Sequence, residues 1–250
     1  MPIREKRIYS GKYLEVEIYP ITKNEQKQKR GKKNKISLPK QKNLNDKNSK
    51  KHLRRLINAN FTDKDIVFHG TYDEENLPKS EEEAKKNVQN FLRRIKTYRK
   101  KNGLEPLKYI AVTEYKEATE DKRTKTRIHH HIVMSGMDRD EAERIWGKGK
   151  HSNADRLKAN ELGYEELANY IAKDPKGSKR WCQSKNLQQP IVKVNDYKYS
   201  HKKVWELSQS QGDKKIFENL YPGYRFTDHR VEVNDINSGT YIYIKMRQLN

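Results

Sequence analysis

The stretch TRIHHHIVMSG, residues 126–136, decides how the centre of this sequence folds. Three consecutive histidines lead into the apolar run IVM, and such a run favours a buried strand, which we predict at 127–135. Because side chains alternate between the two faces of a strand, His129 and His131 point to one face. His130 points to the other face, where we expect a packing or solvent-exposed residue. The strand therefore offers two imidazoles that can bind one metal ion.

The preceding segment KYIAVTEY, residues 108–115, predicts a second strand. Glu114 ends an otherwise apolar face of that strand, and a carboxylate there is costly unless it has a partner. A charged turn at 116–126 joins the two segments into a hairpin, so Glu114 can lie opposite His129 and His131. Two imidazoles and a carboxylate suit Mn²⁺, Mg²⁺, Zn²⁺ or Fe²⁺.

Further elements surround this hairpin, and two predicted helices begin at capping boxes, Ser80 with Glu83 and Asp138 with Glu141. The predicted strands of this central part are 66–72, 108–115, 127–135 and 152–158, and its predicted helices are 81–100, 139–147 and 161–173. The order β-α-β-β-α-β-α predicts an α+β fold in which helices pack on one face of an antiparallel sheet, with N- and C-terminal extensions.

The two extensions differ in composition. Residues 7–19 are strand-like, and residues 23–55 hold fourteen Lys and Arg against two acids, which predicts a basic arm with a short helix at 49–58. The other end has helical patterns at 201–210 and 213–220 and a terminal hairpin at 230–246. We therefore divide the chain into an N-terminal strand and arm at 1–60, a central domain at 61–180 and a C-terminal extension at 181–250.

The composition indicates a partner of opposite charge. The 250 residues carry a formal charge of +21, with a pI of about 9.7 and a mean hydropathy of −1.23. A polyanion, above all nucleic acid, is the expected partner. There is no long apolar segment and no apolar leader, so we expect a cytoplasmic protein without membrane contact. Cys182 is the single cysteine, which excludes a disulfide framework.

A tyrosine on the helix 161–173 stands apart from that helix's core face. Tyr164 and Ile171 belong to the apolar stripe, whereas Tyr170 lies well away from it, with Lys173 beside it. A tyrosine can attack phosphorus as a nucleophile, and a nearby lysine can lower its pKa or neutralise phosphate charge.

Together, Glu114, the His-x-His motif at 129–131 and YIAKD at 170–174 resemble the HUH endonuclease superfamily. The pattern is most similar to the single-tyrosine class of rolling-circle replication initiator (Rep) proteins of plasmids and bacteriophages. FHGTYDEEN at 68–76 resembles the first motif of that family, and WCQSKNL at 181–187 resembles a stretch that follows the tyrosine helix. One departure is His130, since the residue between the two histidines is usually hydrophobic.

The resemblance implies nicking and rejoining of single-stranded or hairpin DNA at a replication origin. Glu114, His129 and His131 would hold Mn²⁺ or Mg²⁺, Tyr170 would form a 5′-phosphotyrosine link and release a 3′-OH for a host polymerase, and Lys173 would orient the tyrosine or the DNA. A helicase would come from the host, because no GxxxxGK[ST] loop is present. We expect DNA contacts from the following basic residues: Lys29, Arg30, Lys32, Lys33, Arg127 and Lys185.

Two alternatives remain open. The same chemistry could serve a conjugative relaxase or a single-tyrosine transposase. A different class, a non-catalytic basic DNA- or RNA-binding protein, would have an RRM-like sheet, but the two central strands lack the expected aromatic-glycine pattern. Replacement of Tyr170 by phenylalanine separates the enzyme from the binding protein.

Overall fold

The computed structural model describes residues 1–22, 39–116, 126–173, 180–233 and 239–249. The chain forms two compact units. We call the first the terminal unit, because it contains both ends of the sequence: Met1–Ala59, Asn160–Gly163 and Gln189–Asn250. The second is the central unit, which comprises Asn60–Ala159 and Tyr164–Gln188.

The strands, in chain order, are β1 (Ile3–Ser10), β2 (Tyr13–Pro20), β3 (Ile66–Gly70), β4 (Tyr109–Lys116), β5 (Thr126–Met134), β6 (Asn153–Arg156), β7 (Cys182–Gln183), β8 (Ile191–Asn195), β9 (Tyr224–Val233) and β10 (Thr240–Gln248). The helices are α1 (Pro39–Asn60), α2 (Glu81–Lys101), α3 (Arg139–Trp146), α4 (Glu165–Ile171), α5 (His201–Ser208) and α6 (Lys214–Leu220). A short 3-10 helix covers Glu74–Asn76.

The central unit is built on an antiparallel sheet with the strand order β6-β3-β5-β4-β7. Helices α2 and α3 pack on one face of it, where Phe68 of β3 and Ile132 of β5 meet Phe91 and Trp146. The rings of Phe68 and Phe91 stack with centroids 4.8 Å apart. This layered arrangement confirms the predicted α+β class.

Side-chain caps fix where two helices of the central unit begin. Ser80 Oγ accepts a hydrogen bond from the Glu83 backbone N–H at 3.2 Å, and Asp138 Oδ1 accepts one from the Glu141 N–H at 2.9 Å. Both bonds satisfy amide groups that the first helical turn leaves unpaired. The predicted starts of α2 and α3 are confirmed, and the α3 end coincides with Gly147 in the left-handed conformation.

The terminal unit has its own antiparallel sheet, with the order β8-β1-β2-β10-β9. The strand-like segment 7–19 is a hairpin whose turn passes through Gly11 at φ +58°. A side chain at Gly11 would also collide with the carbonyl of Asn58 in α1, so glycine is required there. The helix predicted at 49–58 is longer and begins at Pro39. The sequence predicts the segments 1–60 and 181–250 as separate parts of the chain. In the structure both segments supply strands to this one sheet.

Buried charges in this terminal sheet are paired. The Glu15 carboxylate accepts hydrogen bonds from Arg54 Nε at 3.2 Å and from Arg55 Nη2 at 2.8 Å. Burial raises the pKa of Glu15. The guanidinium groups of Arg54 and Arg55 lower it by more than burial raises it, so the pKa lies below its ordinary value. Glu5, which is fully buried, accepts from Lys198 Nζ at 2.7 Å and from the Tyr221 hydroxyl at 2.8 Å.

Candidate active site

The histidines of β5 lie between two strands that complete the site. In the antiparallel register His129 is paired with Glu114 of β4, and His131 is paired with His69 of β3. Alternation along each strand places these four side chains on the sheet face opposite α2 and α3. The predicted face of Glu114 and of the two histidines is therefore the observed one.

The possible ligand atoms of these four side chains lie close together. Glu114 Oε2 lies 3.7 Å from both His129 Nε2 and His131 Nε2. Ligand nitrogens of His69, His129 and His131 lie within 4.8 Å of one another. The ring of His69 stacks on that of His131, with centroids 4.8 Å apart. The structure thus joins the three predicted ligands and adds a fourth candidate, His69.

The protonation of the imidazoles favours metal binding. His129 Nδ1 lies 2.9 Å from the Arg127 carbonyl oxygen, and because a carbonyl can only accept, Nδ1 donates and Nε2 is the nitrogen that faces the other ligands. Burial, followed by the neighbouring imidazoles of His69 and His129, lowers the pKa of His131 to about 3. Burial also lowers the pKa of His69. His69 and His131 are therefore neutral at pH 7.

Two buried nitrogen atoms test whether the site fits a metal ion. Nε2 of His69 and Nε2 of His131 have no hydrogen-bond partner within the part of the chain that the structure describes. An unsatisfied buried polar atom costs about 1–3 kcal/mol, which a ligand can recover. Donors bound to one ion at about 2.1 Å lie roughly 3.0–4.2 Å apart, so the separations from Glu114 fit and the wider histidine spacing needs a small closure. The residues therefore fit a divalent metal.

His130 occupies the opposite, helix-covered face and is fully buried. The Tyr72 hydroxyl lies 2.8 Å from its Nε2, and Thr113 Oγ1 lies 2.9 Å from its Nδ1. Burial is the main cause that lowers the pKa of His130 to about 3. A packing role is confirmed, and the two hydrogen bonds explain how an imidazole replaces a hydrophobic residue at this position.

Tyr170 lies beside the histidines. Its ring centroid is 5.1 Å from that of His131, and its side chain is 59% exposed. Tyr164 is buried instead and its hydroxyl donates to Asp63 Oδ1 at 2.9 Å, as expected for the core side of this segment. Helix α4 is shorter than the predicted 161–173, and Lys173 follows its end as an exposed residue. The exposed tyrosine is thus placed where a large substrate can reach it.

The predicted DNA contacts are distributed over several segments. Arg127 is exposed and forms an ion pair with Glu74 at 3.7 Å. Lys185 is exposed after β7. The remaining four, Lys29, Arg30, Lys32 and Lys33, lie outside the described residues.

Sequence reasoning missed His69. It is a single histidine in IVFHG, within the segment that resembles the first family motif, and nothing in its spacing marks it as a ligand. Its place opposite His131 depends on the pairing of β3 with β5, which are more than fifty residues apart in sequence. A histidine at the end of an apolar strand was the one available signal.

No helix among the described residues has the length and apolar character needed to cross a bilayer.

Residues 66–175 match a family model described as "Replication-associated protein ORF2/G2P". No curated protein and no solved structure gives a significant match. The matched segment runs from β3 past α4 and contains Glu114, the three histidines around it and Tyr170. The predicted resemblance is therefore confirmed at the level of a replication-associated protein family.

Proposed function

We propose that this protein initiates rolling-circle DNA replication by nicking unpaired DNA at an origin, with Tyr170 as the nucleophile. The observation that carries the proposal is the position of an exposed tyrosine ring 5.1 Å from His131, next to a cluster of imidazoles and a carboxylate. The family match supports a role in replication, and the charge of +21 supports an anionic substrate.

The reaction is a transesterification at phosphorus. Tyr170 Oη forms a new bond to the scissile phosphorus and loses its proton, while the bond from phosphorus to the 3′ oxygen breaks. The departing 3′ oxygen takes up a proton and becomes a 3′-OH, and the 5′ end stays linked to the tyrosine. The number of phosphate ester bonds is unchanged, so the strand can be rejoined by the reverse step.

Glu114, His129 and His131, with His69 beside them, would hold Mn²⁺ or Mg²⁺, which when bound supplies polarisation of the scissile phosphate. His129 is oriented for this by its hydrogen bond to the Arg127 carbonyl. The ring of His131 supports one side of Tyr170. Lys173, exposed beyond α4, would offset phosphate charge near the tyrosine.

The partners follow from this chemistry. Single-stranded or hairpin DNA is the substrate, since an unpaired backbone can bend so that its phosphate reaches a site on a sheet face. The free 3′-OH would serve a host polymerase, and strand separation would need a host helicase. Non-specific affinity from the basic residues would weaken with salt.

The test is formation of a covalent adduct. The full chain is incubated with Mn²⁺ and labelled single-stranded oligonucleotides from its own replicon, and products are analysed on denaturing gels and by mass spectrometry. We expect DNA linked to Tyr170, no adduct with EDTA and none with Tyr170→Phe. The control is Tyr197→Phe, because Tyr197 is 93% exposed and lies in the terminal unit. An adduct that survives in Tyr170→Phe, or tight binding without any adduct in the wild type, contradicts the proposal.

A further inference from the structure

A second cavity in the central unit lies away from the histidines. It has a volume of about 640 Å³ and opens between the C-terminal half of α2 and the loop after β7. Its apolar wall includes Leu104, Pro106 and the ring of Tyr109. We call it the α2–β7 groove. Its volume falls within the range of roughly 300–1,000 Å³ that is typical of small-ligand sites.

The groove is distinct from the candidate active site. Tyr109 and Glu114 are five residues apart on β4, which corresponds to about 17 Å along an antiparallel strand. They also belong to opposite faces of the sheet, because their separation is an odd number of residues. Tyr109 packs at the edge of the core that α2 covers.

The rim of the groove is positively charged. Lys96, Lys100 and Lys185 are all exposed there, and Lys96 Nζ lies 5.9 Å from the centre of the Tyr109 ring. Among the described residues that line the groove there is no acidic side chain. A groove with three ammonium groups and no carboxylate in its lining attracts an anion.

Arg99 adds a fourth cation in the wall, and it is only 4% exposed. Its Nε donates to the Glu105 carbonyl at 2.7 Å, and its Nη1 donates to the Gly136 carbonyl at 2.9 Å. These acceptors are neutral backbone groups. The carboxylates of Asp65 and Glu105 act on Arg99 through space, and burial nevertheless lowers its pKa overall. These backbone hydrogen bonds thus fix the position of the Arg99 guanidinium without neutralising its positive charge.

Amide side chains complete the lining. Gln183 accepts a hydrogen bond from Trp181 Nε1 at 2.8 Å through its oxygen, which leaves its amide N–H groups as donors. Asn186 donates to the Leu107 carbonyl at 3.3 Å, which leaves its oxygen as an acceptor. A donor and an acceptor beside an aromatic wall can pair with the edge of a nucleic-acid base.

From these contacts we infer that the α2–β7 groove binds one nucleotide of an unpaired DNA strand, with its base against Tyr109 and its phosphate among Lys96, Lys100 and Lys185. A simple anion would gain nothing from the apolar wall, and an apolar ligand would gain nothing from the lysines, whereas a nucleotide uses both. The inference rests on the proposed function only in that the substrate is single-stranded DNA. It adds a second contact on the strand, a few nucleotides from the phosphate that Tyr170 attacks.

The first experiment measures binding without cleavage. The full chain carrying Tyr170→Phe is titrated in EDTA with a fluorescein-labelled oligothymidylate of about 12 nucleotides, a length within the usual footprint of ~4–16. We compare a groove variant, Lys96→Gln with Lys100→Gln and Lys185→Gln, with a control variant, Lys202→Gln with Lys214→Gln and Lys215→Gln. The control removes the same charge from exposed positions of the terminal unit.

We expect the groove variant to bind at least about tenfold more weakly at low salt than the control. Its salt dependence should also be shallower by about 0.7, since loss of one phosphate contact on a single strand lowers the slope by ~0.7. Equal losses in the two variants would overturn the inference, because net charge alone would then account for the binding.

The second experiment locates the base. An oligonucleotide that contains 5-iodo-deoxyuridine is crosslinked by light to the same protein, and we expect mass spectrometry to find the crosslink on Tyr109. Tyr109→Leu, which keeps an apolar side chain at the core edge, should weaken binding by roughly 5- to 100-fold, as loss of one stacked base does. A wild-type crosslink map without Tyr109, together with unchanged affinity of Tyr109→Leu, would overturn the inference.

Failure of this inference and failure of the proposed function give different results. If Tyr170 forms no adduct but the groove variant binds DNA weakly, the nicking proposal is wrong and the groove stands. If Tyr170 forms an adduct and the groove variant binds like its control, the groove inference alone is wrong.

Discussion

Both units of this protein bury ionisable side chains within an antiparallel sheet, and the two sheets surround those side chains differently. In the terminal unit, Glu15 accepts hydrogen bonds from Arg54 and Arg55, and Glu5 Oε1 accepts them from Lys198 and the Tyr221 hydroxyl. The other oxygen of Glu5, Oε2, has no hydrogen bond within the described ranges but forms an ion pair with Arg7 Nε at 3.2 Å. In the central unit, the buried Nε2 atoms of the paired histidines on β3 and β5 have no hydrogen-bond partner among the described residues.

The difference separates buried charged groups that stabilise the fold from buried neutral imidazoles that can bind a ligand. A buried ion pair whose groups satisfy each other fixes the local geometry, and removal of one partner leaves a costly uncompensated charge. A buried imidazole without a partner is a standing cost that binding of a metal ion would remove. Changes in the terminal network should therefore affect stability, and changes at the histidines should affect metal binding and catalysis.

The largest expected effect comes from His131→Ala. Loss of this ligand should reduce Mn²⁺ affinity about 100-fold or more and reduce adduct formation about 1,000-fold, which corresponds to about 4 kcal/mol in the transition state. Titration calorimetry measures the first quantity and denaturing gels measure the second. The control is His151→Ala, an exposed histidine. Unchanged Mn²⁺ affinity in His131→Ala would show that the unpartnered histidines of the central unit do not bind a metal ion.

Next comes Arg54→Met in the terminal unit. Glu15 then still has Arg55 as a guanidinium partner, so we expect the free energy of unfolding to fall by about 2 kcal/mol, as for loss of one hydrogen bond to a charged group. Urea unfolding of the full chain measures this loss, and Mn²⁺ affinity should stay unchanged. Lys203→Met is the matched control, because Lys203 pairs with Glu206 on the surface and such pairs contribute about 0–1 kcal/mol. Equal losses of unfolding free energy in Arg54→Met and Lys203→Met would show that the buried Arg54–Glu15 pair contributes no more than a surface ion pair.

The same variant predicts a pH dependence. Because the folded-state pKa of Glu15 lies below its ordinary value of 4.5, its contribution to stability is complete above about pH 4.5 and is lost as the pH falls through the folded pKa. The difference in unfolding free energy between the wild type and Arg54→Met should therefore shrink below pH 4.5. A difference that stays constant as the protein is acidified until it unfolds would mean that Arg54 stabilises by packing rather than by charge.

The smallest expected effect is that of Tyr221→Phe. This change removes one hydrogen bond to Glu5 and leaves Lys198 in place, so we expect a loss of about 1.5 kcal/mol in the free energy of unfolding. Tyr197→Phe, at an exposed tyrosine, should change it by less than about 0.5 kcal/mol. If both variants unfold alike, the Tyr221 hydroxyl is not needed to satisfy the buried carboxylate.

The sequence predicts local structure of the central unit well. Alternation within TRIHHHIVM fixes which face each histidine occupies, and the capping residues Ser80 and Asp138 fix where α2 and α3 begin. The hairpin that places Glu114 opposite His129 also follows from adjacent segments. Each of these features depends on residues close together in sequence.

Features that depend on distant pairing were not predicted. His69 joins the candidate site because β3 pairs with β5, and no local pattern reports that register. The terminal sheet joins the first strands of the chain to the last ones. The sequence predicts these segments as two separate extensions and gives no sign that they pair. The turn at Gly11 was also missed, because the residues on both sides of it have the same strand-like composition.

The strand order of the terminal sheet has a consequence for biosynthesis. β10, made after all other strands, lies inside the sheet between β2 and β9. During translation β1 and β2 must therefore wait for more than two hundred further residues before their sheet can close, while the central unit is already complete by Gln188. Because domains fold as units when their residues emerge, the central unit can fold while the terminal sheet is still incomplete. A stop codon before Thr240 would spare the histidines and Tyr170 and still remove an interior strand from the other half of the molecule.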